Sequence, residues 1–333
     1  MASESSESSS SAAARPIDVC NGDADGLCAV VQWRLHRPGN ATLVTGLKRD
    51  IALLDRVEAG PGDELLVCDI SMQRNRPALM RLLAQGARVR YFDHHRAGDI
   101  PVHPNLEAHV DLSPQVCTSL LMDRYLGGAF RAWAVVGAYG DNLTRVADTL
   151  AARSGLNDSQ RARLRTLGVA INYNAYGESL PDVHIDPALL YRIMARYADP
   201  IELVEHEPVV AELDQRRRDD LARAYSIAPV RQGERGAVRI VPDAPWSRRV
   251  IGSWAHELAE ASPGLAHAVL RQTGSDHYVV SVRAPATAPG GAAEFCARFG
   301  GSGRARAAGI DRLAATDLDR FIAAFEAERW GEG

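Results

Sequence analysis

The first half of the chain alternates short apolar runs with longer amphipathic stretches. Glu64–Cys68 reads ELLVC, a continuous apolar run that is typical of a strand buried on both faces. The same alternation predicts further elements in this half: strands over Ile17–Cys20, Ala41–Thr45 and Ala87–Phe92, and helices over Leu27–Leu35 and Pro77–Ala84. Strands that alternate with helices at this spacing predict an α/β fold, with a parallel sheet and helices on both faces.

The second half of the chain has a different pattern of apolar and polar residues. Residues 115–195 are predicted to be mostly helical, with a break at Gly137–Asn142, and a charged helical stretch follows over Glu205–Ala224. From Ala237 onward the segments AVRIVP and HYVVSVRAP predict strands, and Val250–Ala261 and Asp317–Glu328 predict helices. We therefore predict a disordered tail over 1–15, a parallel-sheet domain over 16–195, a helical linker over 196–236 and a smaller α/β domain over 237–333.

Charge and composition limit the range of possible functions and cellular compartments. The formal net charge of −4 argues against a protein that coats long duplex DNA, although a small basic pocket for one or a few phosphates remains compatible with it. Five scattered cysteines without a CxxC spacing favour a reducing compartment. The N-terminus, MASESSESSSSAAARP, lacks the pattern of a secretory signal, and no apolar run is long enough to span a membrane. These observations predict a cytoplasmic protein.

Acidic and histidine side chains follow three of the predicted strands. Asp23 and Asp25 come after the first strand, Asp69 ends the ELLVC strand, and Asp93–His95 ends the strand over Ala87–Phe92. In open parallel sheets, ligands bind at the carboxyl ends of the strands. We therefore expect these side chains to form one site.

The residue types in this group are those that bind a divalent metal ion. Two carboxylates in an Asp-x-Asp turn repel each other unless a cation lies between them, although aspartates also cap helices in such turns. Helix capping is the alternative for Asp69 as well. His94 and His95 are suitable imidazole ligands that a neighbouring carboxylate can orient, although a purely structural role for the pair is also open.

Four short motifs in order, NGDADG, VCDIS, FDHHR and GDN at Gly140–Asn142, resemble the motifs of the DHH phosphoesterase superfamily. Phe299–Ile310, FGGSGRARAAGI, resembles the glycine-rich signature of the associated DHHA1 domain. The resemblance covers roughly residues 16 to 310. It implies a DHH catalytic domain over 16–195 and a DHHA1 substrate-binding domain over 237–333, in the RecJ-like or oligoribonuclease-like branch.

The resemblance also implies roles for the acidic and histidine residues. One Mn²⁺ would be held by four residues of the motifs: Asp25, Asp69, His94 and Asp141. A second would lie between Asp23 and Asp69, and Mg²⁺ is the alternative metal. Catalysis would rest on Asp93, His94 and His95, with His95 on the scissile phosphate and Asp93 orienting the histidines. Many relatives have a histidine where this chain has Val19, so we expect weaker metal binding at Asp23 than at Asp25.

The residues expected to bind substrate lie near the C-terminus. Gly301, Ser302 and Gly303 would offer backbone amides and a hydroxyl to an anion, and Arg304 a guanidinium fork suited to phosphate. Arg283 matches an arginine that the family directs into its cleft. The cluster Asn172–Tyr176 could stack on a base, but packing of a loop between helices is the favoured interpretation.

The favoured function is a metal-dependent phosphodiesterase that hydrolyses short single-stranded oligonucleotides to nucleoside monophosphates. The alternatives are a phosphodiesterase for cyclic dinucleotides or other small phosphate esters, a non-catalytic nucleic-acid binding module and, less favoured, a soluble pyrophosphatase. The expected partners are a short single-stranded oligonucleotide or a dinucleotide as substrate, and no membrane. The sequence leaves open whether the chain forms a homodimer.

Overall fold

The computed structural model describes residues 14–287 and 291–330, and the chain divides into two compact units. One unit contains the described residues up to Asn172 together with Pro187–Glu207, and the other contains Tyr173–Asp186 and the described residues from Pro208 onward. The predicted tail over 1–15 lies almost wholly outside the described residues, and the predicted domain boundaries stay predictions. In the part of the chain that the structure describes, no helix is long and apolar enough to cross a membrane.

The first unit is built on a sheet of five parallel strands, as the sequence predicts. The strands are β1 (Pro16–Asn21), β2 (Thr42–Gly46), β3 (Glu64–Cys68), β4 (Arg88–Asp93) and β5 (Leu106–Val110). Their order is β2-β1-β3-β4-β5, and every neighbouring pair is parallel. The sequence pattern does not predict β5, because this edge strand is only half buried along its length and has no continuous apolar run.

Helices cover both faces of this sheet, which confirms the predicted fold class. The helices that lie wholly or mostly in this unit are α1 (Ala24–His36), α2 (Met72–Ala84), α3 (Thr118–Tyr125), α4 (Arg131–Gly140), α5 (Thr144–Arg153), α6 (Asp158–Ala175), α7 (Pro187–Met194) and α8 (Pro200–His206). On one face, Leu79 and Leu82 of α2 pack against Val67 and Tyr91 of the sheet. On the other face, α1 packs against β1 and β3 and also contacts α3 and α4.

The ends of these helices follow from local chemistry. Asp23 precedes α1, and its side chain accepts a hydrogen bond of 3.1 Å from the backbone N–H of Gly26. Ser71 caps α2 in the same way. Helix α2 ends just before Gly86, whose φ of +87° is in the left-handed region that glycine adopts without strain.

The second unit is a smaller α/β structure with a mixed sheet. Its elements are α9 (Pro208–Tyr225), β6 (Arg231–Gln232), β7 (Gly236–Val241), α10 (Pro245–Ala261), β8 (Ala266–Thr273), β9 (His277–Arg283), α11 (Ala292–Ala297), β10 (Ser302–Arg304), β11 (Ala307–Ala314) and α12 (Leu318–Ala327). The strand order is β10-β11-β9-β8-β7-β6, and only the pair β7 and β8 is parallel among these described strands. Leu270 and Val282 of the sheet pack with Phe295 and Phe321 in its core.

A buried polar network in the second unit is centred on the hydroxyl of Tyr173. This hydroxyl donates to Asp220, accepts a hydrogen bond of 2.9 Å from Nε of Arg249, and lies 2.8 Å from Nε2 of His184. Arg249 and Asp220 also form a buried ion pair of 2.8 Å. A buried ion pair needs further hydrogen bonds to offset its desolvation, and Tyr173 supplies them.

We expect Tyr173→Phe to lower the free energy of unfolding by about 2 kcal/mol, because hydrogen bonds to buried charged groups are lost. Chemical denaturation measures the change. Tyr225→Phe is the matched control, since its hydroxyl contacts Glu257 on a half-exposed ring, and it should change stability by less than about 0.5 kcal/mol. Equal effects of the two substitutions would contradict this role for Tyr173.

Candidate metal centre

Six of the predicted site residues meet at the carboxyl end of the parallel sheet. They come from four parts of the first unit: Asp23 and Asp25 at the start of α1, Asp69 after β3, His94 and His95 after β4, and Asp141 directly after α4. Asp23, Asp25 and Asp69 are buried, whereas His94 and Asp141 keep part of their side chains exposed. The centre therefore combines buried charge with access from solvent.

His94 lies in the middle of this group. Its Nδ1 is 3.0 Å from the carbonyl oxygen of Val116, which can only accept, so Nδ1 carries a proton and donates it. In the neutral ring, Nε2 then presents its lone pair to three carboxylates: the distances from Nε2 are 3.4 Å to Asp69 Oδ1, 3.9 Å to Asp25 Oδ2 and 3.9 Å to Asp141 Oδ2. A lone pair that faces three anionic groups is the arrangement that a divalent cation requires.

Asp25 is held in place by the start of α3. Its Oδ2 accepts a hydrogen bond of 2.7 Å from the backbone N–H of Thr118, and its Oδ1 one of 2.8 Å from that of Ser119. The first backbone N–H groups of a helix have no partner within the helix and therefore bind anions. The N–H groups at the start of α3 bind Asp25 in this way. Helix α4 approaches closely here, since a Cβ on Gly137 would lie 2.2 Å from Ser119 Oγ. These contacts direct the carboxylate towards His94.

The backbone of Asp69 adopts a conformation that is unusual outside glycine. Its φ is +59°, which aspartate tolerates better than most residues but at some cost in energy. The turn brings Oδ1 within reach of three groups: it accepts a hydrogen bond of 3.2 Å from Thr118 Oγ1 and lies 3.4 Å from His94 Nε2 and 3.7 Å from His95 Nδ1. Ligand atoms of Asp69, His94 and His95 lie within 4.8 Å of one another, a grouping that can hold a metal ion.

The crowding of carboxylates changes their protonation. Burial, followed by the charges of Asp23, Asp25 and Asp141, raises the pKa of Asp69 well above its ordinary value. Burial and the charge of Asp25 likewise raise the pKa of Asp141 to about 6. Without a metal ion, Asp69 and Asp141 therefore hold their protons more tightly than ordinary aspartates do. These donors fit a divalent ion, which would replace those protons.

His95 is oriented separately from His94. Its Nδ1 is 2.8 Å from Oδ1 of Asp93, which is fully buried. Burial lowers the pKa of His95, but the hydrogen bond with Asp93 and the nearby carboxylates outweigh it and raise the pKa above its ordinary value. The resemblance implies that Asp93 orients both histidines. In the described structure Asp93 contacts His95, whereas the carbonyl group of Val116 orients His94.

Lys48 is a residue of this centre that the sequence analysis missed. Its Nζ lies 2.5 Å from Asp23 Oδ2 and 3.2 Å from the side-chain oxygen of Asn172. Burial would raise the pKa of Asp23, but attraction to Lys48 and hydrogen bonding lower it to about 2. Lys48 lies just after β2, so the rule that directs attention to the carboxyl ends of parallel strands could have found it.

Solved structures of DHH-domain proteins resemble the chain over 94% of its length. RecJ from Thermus thermophilus, in complex with Mn²⁺, has a TM-score of 0.60 and 19% identity, and the chain covers 51% of that protein, about half its length. The pGpG-specific phosphodiesterase PggH from Vibrio cholerae has a TM-score of 0.54 and 14% identity, with 98% of it covered. A DHH-domain protein described as a member of a family of ribosomal proteins has a TM-score of 0.59 and 13% identity, with 86% covered.

The chain has the DHH-domain fold. The similarity extends across both units and confirms, for the fold, the resemblance seen in the four short motifs. The sequence matches no protein-family model and no curated protein sequence.

In this DHH-fold chain, the glycine-rich segment forms a hairpin in the second unit. Ser302–Arg304 is the edge strand β10, and a Cβ on Gly303 would lie 2.4 Å from the Ala308 Cα of β11. Arg304 pairs with Ala307, which pairs with Arg283, so the two arginines lie in one row on the same face of the sheet. The guanidinium of Arg283 donates to Ser281 Oγ at 2.9 Å and to the Gly252 carbonyl at 3.2 Å, within the same unit.

The polar cluster Asn172–Tyr176 is mainly helical, in contrast to the loop that the sequence analysis favours. Helix α6 continues to Ala175, and Asn174 is fully buried. The side-chain oxygen of Asn174 accepts hydrogen bonds from the backbone N–H groups of His184 and Ile185. The buried side chain of Asn174 thus satisfies two backbone N–H groups, a role that an apolar pattern in the sequence does not reveal.

Proposed function

We propose that the chain is a metal-dependent phosphodiesterase that hydrolyses short single-stranded oligonucleotides to nucleoside monophosphates. The observation that carries this proposal is the imidazole Nε2 of His94, which faces the carboxylates of Asp69, Asp25 and Asp141 within 4 Å at the carboxyl edge of a parallel sheet. This donor set fits a divalent cation better than any purely structural role, because a structural role would leave the carboxylates repelling one another.

Four residues would hold the ion: Asp25, Asp69, His94 and Asp141. Mn²⁺ is the proposed metal because it accepts both carboxylate and imidazole ligands, and RecJ has been solved in complex with it. When bound, such an ion polarises a phosphate oxygen and lowers the pKa of a coordinated water, so no separate protein base is required.

His95 would act on the substrate phosphate. Its Nδ1 is engaged by Asp93, so Nε2 is the ring nitrogen that remains for a phosphate oxygen. The hydrogen bond with Asp93 favours the protonated ring of His95, which can donate a hydrogen bond to the developing negative charge. Asp93 keeps the ring in the orientation this requires.

Short linear substrates fit the chain best. The net charge of −4 offers little attraction for long nucleic acids, and the basic groups proposed for binding are few. Two proteins with the same fold support this choice: an exonuclease, RecJ, and a phosphodiesterase described as specific for pGpG, the notation of a linear dinucleotide.

An assay with Mn²⁺ against linear dinucleotides, longer single-stranded oligomers and cyclic dinucleotides tests the proposal. We expect release of nucleoside monophosphates from dinucleotides and short oligomers, and inactive Asp69→Asn protein excludes a contaminating nuclease. Preference for the cyclic substrates would favour the alternative phosphodiesterase. Binding of oligonucleotides without any hydrolysis would favour a non-catalytic module.

Arg304→Ala is expected to raise KM for a dinucleotide by about 10- to 100-fold with a smaller change in kcat, because a charged hydrogen bond to phosphate is worth about 1.5–3 kcal/mol. Steady-state kinetics provide the measurement. Arg306→Ala is the matched control, since Arg306 is also exposed but lies in the turn between β10 and β11. An unchanged KM for Arg304→Ala would remove Arg304 from the proposed binding site.

A further inference from the structure

Lys48 is held in the acidic centre by contacts with both its backbone and its ammonium group. The side-chain amide of Asn21 donates to the carbonyl oxygen of Lys48 at 3.3 Å, which anchors the backbone. At the other end, Nζ donates to Asp23 Oδ2 at 2.5 Å and to Asn172 Oδ1 at 3.2 Å. Only 30% of the Lys48 side chain is exposed. A lysine held at both ends is a fixed charge rather than a solvated surface group.

Lys48 already binds the carboxylate of Asp23, which a second metal ion would need as a ligand. Both oxygens of Asp23 already accept hydrogen bonds, Oδ1 from the Gly26 N–H at 3.1 Å and Oδ2 from Lys48. The oxygen of the neighbouring Asn21 side chain is also engaged, by the N–H of Asp23 at 3.2 Å. A divalent ion on Asp23 would therefore have to displace an ammonium group or lie beside it, where the two like charges repel.

Asp25 differs from Asp23 in this respect. Its oxygens also accept two hydrogen bonds, but both come from neutral backbone N–H groups, of Thr118 and Ser119. A carboxylate has about four lone-pair positions, so such donors leave room for a cation. The cation-binding side of the centre is consequently that of Asp25 and His94.

We propose that Lys48 takes the place of a second metal ion beside Asp23, so that the centre binds a single divalent ion. This inference rests on the proposed function and makes it more specific. The ammonium group offsets the charge of Asp23 without a metal ion, whereas the charge near His94 depends on the metal supply.

The number of bound ions tests the inference without reference to activity. Protein is dialysed to equilibrium against Mn²⁺, the metal content is measured by mass spectrometry, and electron paramagnetic resonance detects magnetic coupling between paired ions. We expect one uncoupled Mn²⁺ per chain for the wild type and Lys48→Arg, and two coupled ions for Lys48→Ala. Arg88→Ala, which removes an exposed charge at the opposite end of β4, is the control and should bind one ion.

Each outcome has a distinct meaning. Two ions in the wild type, or a single ion in Lys48→Ala protein that is folded by circular dichroism, would overturn the inference and leave the proposed function standing. Binding of no Mn²⁺ by the wild type would refute the proposed function, and the inference with it. Lys48→Met, which keeps the apolar stem, replaces Lys48→Ala if that variant fails to fold.

Discussion

Asp69→Asn is expected to lower phosphodiester hydrolysis by about 10³-fold, since several kcal/mol of transition-state stabilisation would depend on the metal ion that Asp69 helps to hold. The substitution is nearly isosteric. Asparagine also tolerates the φ of +59° at this position, so the backbone turn is preserved. The loss should therefore come from the missing charge next to His94 and not from unfolding. Turnover of a linear dinucleotide and the dissociation constant for Mn²⁺ are the two measurements.

Asp111→Asn is the matched control for Asp69→Asn. Asp111 follows β5, so it lies after a strand of the same sheet, but its carboxylate contacts Ser113 and Arg124. We expect its effect on turnover to be less than about threefold, as for most substitutions away from a site. If Asp69→Asn kept Mn²⁺ affinity and turnover within the range of this control, the assignment of the metal centre would be wrong.

The contribution of Asp141 to the free energy of unfolding of metal-free protein is expected to fall as the pH rises from about 4 to 7, and Mn²⁺ is expected to reduce this loss. The pKa of Asp141 in the folded chain is about 6, against an ordinary value of 3.8. A raised folded pKa means that the contribution to stability is fully present below 3.8 and is lost as the pH rises through about 6. For Asp141 the loss in free energy of unfolding is about 3 kcal/mol. The pKa of Asp69 is raised as well, so its contribution to stability also falls as the pH rises.

The contribution of Asp23 to stability depends on pH in the opposite direction, but it changes only below the pH range considered for Asp141. Its pKa is lowered to about 2, so its contribution is present above 3.8 and is lost only as the pH falls through about 2. Bound Mn²⁺ removes the repulsion among the ionised carboxylates and should flatten the pH dependence.

Urea denaturation between pH 4 and 7, with a chelator or with Mn²⁺, measures this effect. Other groups also titrate, so the informative quantity is the difference between the wild type and Asp141→Asn. We expect Asp141→Asn to gain stability relative to the wild type as the pH rises in the absence of metal. A difference that stays constant across the range would contradict the raised pKa of Asp141.

Much of the fold could be predicted because its signals are local. The apolar run of Glu64–Cys68 predicts β3 to the residue, and the alternation around it predicts the parallel sheet. Two edge strands, β5 and β10, were not predicted, because their side chains are partly or fully exposed and burial therefore leaves no continuous apolar pattern in their sequences.

The amino-acid sequence alone specifies which ligand types follow which strands. Because parallel strands share one carboxyl edge, this was enough to predict that Asp25, Asp69 and His94 would meet. How each ligand is held depends on contacts that form only when the chain folds. Asp25 accepts from residues 93 and 94 positions away, and Lys48 reaches Asp23 across 25 positions. A backbone N–H, a carbonyl group or a loop lysine has no distinctive sequence pattern, so these contacts depend on how the helices pack against the sheet.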